Sequence, residues 1–153
     1  MKELESFNYT DEELDALLRR AKDQIEDKDY RLLEAMVESL KAGRIVDVDE
    51  RPSLADALVG GIEFDNRYTF NLIQEFVDET VLVSEHEIAA AMTFALGKHH
   101  LVVEGGGAVG IAALLYGKVQ HLGENIVVVV SGGNVDLSIL TQVVQGKYEF
   151  QQE

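Results

Sequence analysis

Cysteine is absent from this chain, and cationic residues are scarce. Without cysteine the protein can have no disulfide bond, no thiolate nucleophile and no zinc–thiolate site. The chain has 13 Lys and Arg residues against 28 Asp and Glu residues, which gives a formal net charge of −15 at pH 7. This charge argues against non-specific binding to nucleic acid or to an anionic membrane, because both partners are negative.

Long apolar runs are also absent from the sequence. No run reaches the length of a membrane span, and the acidic N-terminus lacks the apolar core of a signal peptide. We therefore expect a cytoplasmic protein without a membrane partner. The 153 residues suffice for one domain with a core, and a hydrophobic content of 46% is ordinary for a globular protein.

The first 43 residues predict an α-helical hairpin. Thr10 and Glu13 form a capping box. An apolar stripe at helical spacing follows, made of Leu14, Leu17, Leu18, Ala21 and Ile25. A second stripe, which ends at Gly43, is made of Leu33, Met36, Val37 and Leu40. We expect the two helices to lie antiparallel, so residues 1–43 form one unit and residues 44–153 another.

From residue 44 onward, strand and helix patterns alternate. Strands are predicted at 44–48, 80–83, 101–103 and 126–130, and helices at 54–58, 65–77, 84–97, 108–116 and 134–144. This order is typical of an α/β fold with a mainly parallel sheet and flanking helices. The five β-branched residues at 126–130 have no polar face, so we predict a central strand covered by helices on both sides.

The turn Ser131-Gly132-Gly133-Asn134 follows that predicted central strand directly. It offers a hydroxyl, two residues that allow a sharp turn, and an asparagine that can cap a helix. Ligands of open α/β sheets bind at the carboxyl ends of the strands, which makes this turn a candidate site. An ordinary strand-to-helix turn is the alternative, and this segment by itself does not separate the two.

The glycine-rich segment 105–110 matches G-x-G-x-x-G, follows a predicted strand and opens a helix. A dinucleotide site also needs an acidic residue at the end of the next strand, but that strand ends at Ser131. Glu104 would also place a negative charge where a pyrophosphate arrives. The pattern favours the other interpretation, that the glycines let a helix pack tightly against the sheet.

Other catalytic or metal sites have little support. None of the four histidines has a second metal ligand suitably placed at i+3 or i+4, so we expect no metal site. The carboxylates of Asp47, Asp49, Glu50 and Asp56 suggest Mg²⁺, but a solvated acidic loop is the favoured interpretation in so acidic a chain. No serine lies in a G-x-S-x-G elbow, so a hydrolase triad is not indicated.

Four segments in order resemble fold type II pyridoxal-phosphate enzymes. They are S-L-A-D at 53–56, V-S-E-H-E-I at 83–88, V-E-G-G-G-A at 103–108 and V-S-G-G-N at 130–134. The resemblance covers about residues 35–145 and is strongest to threonine/serine dehydratases. The segment D-N-R-Y-T-F at 65–70 makes the chain similar to the dehydratase of hydroxyectoine utilisation. Four motifs in the right order are far more specific than any one of them.

The resemblance implies pyridoxal phosphate as cofactor and residues 44–153 as part of the family's large domain. By the same resemblance, Ser131 hydrogen-bonds the pyridine nitrogen, Gly132 belongs to the same cofactor-binding turn, and Glu104 lies near the ring. A neutral hydroxyl at the nitrogen makes the ring a milder electron sink than a carboxylate would. That suits β-elimination of water from a hydroxy amino acid.

Two parts of the family's machinery have no counterpart here. The family attaches the cofactor to a lysine of an N-terminal segment and binds its phosphate with a separate glycine-rich loop. Lys41, Lys98, Lys118 and Lys147 stand in other contexts, and Ala57 replaces a glycine that many relatives have. We therefore expect a truncated dehydratase, corresponding to the C-terminal part of such an enzyme and not catalytic by itself.

Two further interpretations stay open. The chain could be an interaction module that associates with itself or binds a partner. It could also be one subunit of a split ammonia-lyase, with another chain supplying the N-terminal half. Each predicts a homo-oligomer or a partner chain. Residues 10–40 are foreign to the dehydratases and weakly resemble the helical leader of insertion-sequence transposases.

Overall fold

A computed structural model describes residues 10, 12, 16, 34–49 and 52–150. Within these residues lie five α-helices: α1 at Glu34–Ala42, α2 at Thr69–Phe76, α3 at Glu85–His99, α4 at Gly105–Leu115 and α5 at Leu137–Val144. A 3₁₀ turn at Asp56–Leu58 replaces the predicted helix at 54–58. The first helix of the predicted hairpin lies almost entirely outside the described residues. Of the described helices, none is long and apolar enough to span a membrane.

The capping box predicted for α3 is confirmed. The hydroxyl of Ser84 accepts a hydrogen bond from the amide of Glu87 (3.3 Å), and the amide of Ser84 donates to the carboxylate of Glu87 (2.7 Å). The predicted end at Gly97 is wrong, since the helix continues to His99. His100 adopts the left-handed conformation (φ 55°), where its amide and that of Leu101 satisfy the last carbonyl groups of the helix.

The other helix ends agree with the patterns to within a few residues. Helix α1 ends at Ala42, and Gly43 follows with φ 66°, as predicted. The hydroxyl of Ser39, which is buried in α1, accepts a hydrogen bond from the amide of Val46 (3.0 Å). Helix α4 begins three residues before the predicted Ala108, and α5 begins three residues after Asn134.

The predicted strands are wrong for the described residues, none of which is in a β-strand. The segments at 44–48, 80–83, 101–103 and 126–130 lack the hydrogen-bonded ladders that define a sheet. One backbone hydrogen bond, from Glu104 to the carbonyl of Gly132 (3.3 Å), joins two neighbouring segments at their carboxyl ends. The mainly parallel sheet is therefore not confirmed.

The hydrophobic core lies on one side of these segments. Helices α3, α4 and α5 form it, together with the inward side chains of Val83 and Val103. Along 126–130 the side chains alternate: Val128 is half-buried, whereas Val127 and Val129 are 90% and 78% exposed. The prediction that this segment is covered on both sides is thus wrong, because the described helices cover only one.

A buried ion pair links α3 to the segment after α4. Glu87, only 1% exposed, contacts the ammonium group of Lys118 at 2.9 Å. Burial and the negative charge of Glu87 raise the pKa of Tyr116 to about 12. These contacts hold the start of α3 in place. The first residue of this helix, Glu85, belongs to the candidate site.

Candidate functional site

Glu104 joins α4 to the S-G-G-N turn. It occupies the N-cap position of α4, yet its side chain makes no capping hydrogen bond there. Its carboxylate accepts a hydrogen bond from the amide of Asn134 (2.8 Å), while its own amide donates to the carbonyl of Gly132 (3.3 Å). One residue thereby holds the turn at two points.

Gly132 has the backbone conformation that this contact requires. Its φ is 85°, in the left-handed region that favours glycine. A Cβ atom at Gly132 would overlap the carboxylate of Glu104. A side chain at residue 132 would therefore be strained by this φ and would displace the carboxylate of Glu104.

The glycines at the start of α4 bring the helix against two other backbone segments. A Cβ at Gly105 would overlap the carbonyl group of Leu54, and one at Gly107 would overlap the carbonyl oxygen of Ser131. Farther along, a Cβ at Gly110 would lie 2.9 Å from a methyl group of Val128. The glycines of G-x-G-x-x-G thus allow tight packing of the helix, as the pattern favoured. The packing is against turns and extended segments, whereas a β-sheet was predicted there.

Glu85 connects α3 to the S-L-A-D segment. Its carboxylate accepts a hydrogen bond from the amide of Leu54 (2.8 Å). Burial raises the pKa of the Glu85 carboxyl group, and the hydrogen bonds from Leu54 and Ser53 partly oppose the rise. The other oxygen, Oε1, is buried without a hydrogen-bond partner among the described residues.

Sequence reasoning missed this role of Glu85. Glu85 lies within the motif V-S-E-H-E-I, but nothing in this motif indicates Leu54 as its partner. The sequence feature that could have indicated it is the position of Glu85 directly after the N-cap Ser84. A carboxylate at the start of a helix is well placed to accept hydrogen bonds from amide groups. Which amide it meets depends on tertiary packing.

The structure brings the three predicted site residues together. Ser131 is exposed, its carbonyl oxygen lies against Gly107, and the next residue, Gly132, accepts a hydrogen bond from Glu104. The carboxylate of Glu104 binds the amide of Asn134, and its place near a cofactor ring stays a prediction. A carboxylate so engaged positions the turn that carries Ser131.

The other predicted candidates do not assemble into a site. Asp47, Asp49 and Asp56 are exposed, and Glu50 lies outside the described residues. In the described part of the chain, no group of three His, Cys, Asp or Glu residues is placed to hold a metal ion.

The four lysines lie in different parts of the chain. Lys41 pairs with Glu38 (2.7 Å), Lys118 with Glu87 (2.9 Å), and Lys147 donates to the side chain of Gln145 (3.0 Å). Lys98 lies in the last turn of α3, about 20 Å along the helix from Glu85.

Comparison with known proteins identifies the family. A family model described as "Pyridoxal-phosphate dependent enzyme" matches residues 31–132, which is more than half of the chain. The chain belongs to this family.

Its relatives are enzymes of threonine chemistry by name. The chain is 46% identical over 112 residues to a Sinorhizobium fredii protein named for a threonine dehydratase. It is 39% identical over 110 residues to an L-threonine ammonia-lyase of Thermotoga maritima. These matches cover 73% and 72% of this chain but only 34% and 27% of the relatives, so the chain spans about a third of their length.

The fold of the described residues is similar to that of solved enzymes. A threonine deaminase of T.th. superposes with a TM-score of 0.60 at 26% identity, over 82% of this chain and 47% of that one. Maize serine racemase superposes with a TM-score of 0.61 at 28% identity, over 76% of this chain and 36% of that one. The recognition of a fold type II pyridoxal-phosphate enzyme from four short motifs is thereby confirmed.

Pyridoxal phosphate is the cofactor that this family membership implies. The site residues fit its ring, because the exposed hydroxyl of Ser131 can hydrogen-bond a ring nitrogen and Glu104 fixes the turn that presents it. They do not fit its phosphate group. The charged side chains in the described contacts of this site are the carboxylates of Glu104 and Glu85, which repel a phosphate, and these contacts include no cation. When bound, the cofactor supplies an electron sink for bond cleavage beside an amino group.

Proposed function

We propose that this chain supplies the ring-nitrogen side of the cofactor site in a pyridoxal-phosphate-dependent threonine/serine dehydratase of the hydroxyectoine-utilisation type, in the cytoplasm. The observation that carries the proposal is the pair of hydrogen bonds by which Glu104 holds the turn, in which Ser131 is an exposed residue. The similarity to L-threonine ammonia-lyases supports a hydroxy amino acid as the substrate class.

The described residues do not suffice for catalysis in this proposal. A hydrogen bond from Ser131 contributes about 0.5–1.5 kcal/mol, whereas micromolar affinity requires about 8 kcal/mol. The lysine and the phosphate-binding loop must come from another segment. We expect the chain by itself to bind pyridoxal phosphate weakly and to release no ammonia from L-threonine or L-serine.

The test measures ammonia release and the absorbance of the cofactor with purified chain, pyridoxal phosphate and each amino acid. Formation of 2-oxobutanoate from L-threonine, abolished by borohydride, would contradict the proposal. Weak binding of the cofactor should decrease in Ser131→Ala and be unchanged in Ser138→Ala, a matched exposed serine in α5.

A second function is favoured by the uncovered side of the molecule. Val127 and Val129 are large apolar side chains that are largely exposed, and such a surface supports a partner that covers it. We propose that the chain is one subunit of a split ammonia-lyase, with the lysine and the phosphate loop on the partner. Self-association through the same side is the other possibility.

Complementation tests the split enzyme. The part of the Thermotoga maritima ammonia-lyase that precedes its matched region should restore ammonia release when mixed with this chain. Ser131→Ala should lower the restored activity if that serine serves the ring, whereas Ser138→Ala should leave it intact. A rise of mass with concentration in light scattering, without any partner, would instead support the self-associating module.

A further inference from the structure

Helix α2 has an apolar stripe that no described residue covers. Tyr68, Leu72 and Phe76 follow each other at intervals of four residues, so they lie on one side of the helix. They are 76%, 51% and 68% exposed. The opposite side of α2 carries the buried Phe70, so the helix is already anchored to the molecule without the stripe.

The ends of α2 are held in place. The side-chain oxygen of Asn66 accepts a hydrogen bond from the amide of Phe70 (3.2 Å), and the amide of Val77 donates to the carbonyl of Ile73 (3.0 Å). The stripe is therefore presented by a helix with one such hydrogen bond at each end. Exposed apolar surfaces on such a frame mark interaction sites.

Negative charge surrounds the stripe. Between residues 63 and 79 the chain carries one cation, Arg67, and the exposed carboxylates of Glu63, Asp65, Glu75, Asp78 and Glu79. Among the described residues, none of these five carboxylates forms a hydrogen bond or an ion pair. Glu75 lies one turn after Leu72 and directly precedes Phe76, so its charge borders the stripe itself.

This charge selects the kind of partner. A second copy would set the same carboxylates against each other, on a chain whose net charge is already −15. Nucleic acid and anionic lipid are repelled for the same reason. We propose that the stripe of α2 binds an amphipathic helix of a partner protein, with an apolar side on Tyr68, Leu72 and Phe76 and lysine or arginine around it.

The side of the molecule with Val127 and Val129 provides a matched control. It is equally apolar and exposed, but residues 126–135 carry no charge. A cationic amphipathic helix should therefore prefer α2, whereas a merely apolar peptide should not distinguish the two surfaces.

The test uses the full chain and a synthetic helical peptide with leucine and phenylalanine on one face and lysine on the other. Its binding is measured by fluorescence anisotropy for wild type, the double variant Leu72→Ser with Phe76→Ser, and the double variant Val127→Ser with Val129→Ser. We expect the α2 variant to bind about tenfold more weakly or worse, and the control variant to bind like wild type.

The electrostatic part has its own comparison. The triple variant Glu75→Gln, Asp78→Asn and Glu79→Gln should weaken binding at low salt, and the difference from wild type should shrink at high salt. Because the substituted side chains are exposed, we expect unchanged melting temperatures. If the double variant of α2 melts early, Phe76→Ser alone provides the same comparison.

Four outcomes would overturn the proposal. One is binding that does not decrease in the α2 variants, and another is an equal decrease in the control. The third is a mass that rises with concentration in wild type but not in the α2 variant, which would make a second copy the occupant. The last is tighter peptide binding after Leu17→Ser with Leu18→Ser, which would mean that residues 10–28 of the same chain, called the leader below, occupy the stripe.

Discussion

At Gly106 and Gly107, two adjacent glycines of α4, the room for a side chain differs sharply. A Cβ at Gly107 would overlap the carbonyl oxygen of Ser131 and lie 2.9 Å from a methyl group of Val103. A Cβ at Gly106 would meet its nearest neighbour, Cγ of Leu58, at an ordinary 3.5 Å. Gly106 leaves room for a methyl group, whereas Gly107 sets the distance between α4 and the turn at Ser131.

Gly107→Ala should therefore lower the free energy of unfolding by about 2–3 kcal/mol, because backbone must move to admit the methyl group. Gly106→Ala should change it by less than about 1 kcal/mol, with a gain in helix propensity as the main effect. Chemical denaturation of both variants measures the difference. Equal destabilisation would mean that α4 does not approach Ser131 as described.

Glu85 provides a prediction in pH. Burial favours its protonated form, so its pKa in the folded protein lies above the ordinary 4.5. As pH rises from below 4.5 through the folded pKa, the folded wild type loses stability, whereas a glutamine at this position does not titrate. The melting temperature of Glu85→Gln should thus gain on that of wild type as pH rises from about 4 to 7.

Thermal melting across this pH range, with Glu63→Gln as control, tests the prediction. Glu63 is an exposed carboxylate, and its substitution controls for the loss of one negative charge. A melting temperature of Glu85→Gln that falls relative to that of wild type as pH rises would show that the hydrogen bond from Leu54 outweighs the effect of burial.

At the scale of elements, the segment at 126–130 has one side on α4 and the other in solvent. A methyl group of Val128 lies where a Cβ of Gly110 would contact it, while Val127 is 90% exposed. The same residue type in adjacent positions thus meets two environments.

Val128→Asp should lower the free energy of unfolding by about 2–3 kcal/mol, because it moves a carboxylate against the apolar surface of α4. Val127→Asp should change it by less than about 0.5 kcal/mol, since the side chain stays in water. Urea denaturation of the two variants measures this. If both are equally destabilised, the outer side is covered in solution.

At the scale of the whole molecule, in the part that the structure describes, the segment at 126–130 is covered on one side, whereas the central strand of an α/β domain is covered on both. Uncovered apolar surface costs about 25 cal/mol per Å², so a few hundred Å² amount to several kcal/mol and favour association. The leader offers the stripe of Leu14, Leu17, Leu18, Ala21 and Ile25 as one possible cover. We predict that residues 10–42 pack on the rest of the chain or on a second copy.

Deletion of residues 1–28 tests this prediction. The shortened chain should melt at a lower temperature or change its mass in light scattering, because the surface covered by the leader becomes exposed. A truncated protein with the same mass, solubility and melting temperature would mean that the leader is an appendage.

The family and the helices were determined by the sequence itself. Capping at Ser84 and Glu87 depends on residues three apart, and the order of four motifs identifies a pyridoxal-phosphate enzyme without coordinates. Local interactions of this kind are complete within a few residues, so a sequence reveals them.

The sheet, the burial of 126–130 and the roles of Glu85 and Glu104 were decided only by the tertiary structure. Five β-branched residues indicate a strand that is buried on both sides. The neighbouring strands and the covering helices, however, must come from other parts of the chain. Likewise, a carboxylate binds whichever amide the fold brings near, Leu54 for Glu85 and Asn134 for Glu104, 31 and 30 residues away. Such contacts depend on distances that the order of residues does not contain.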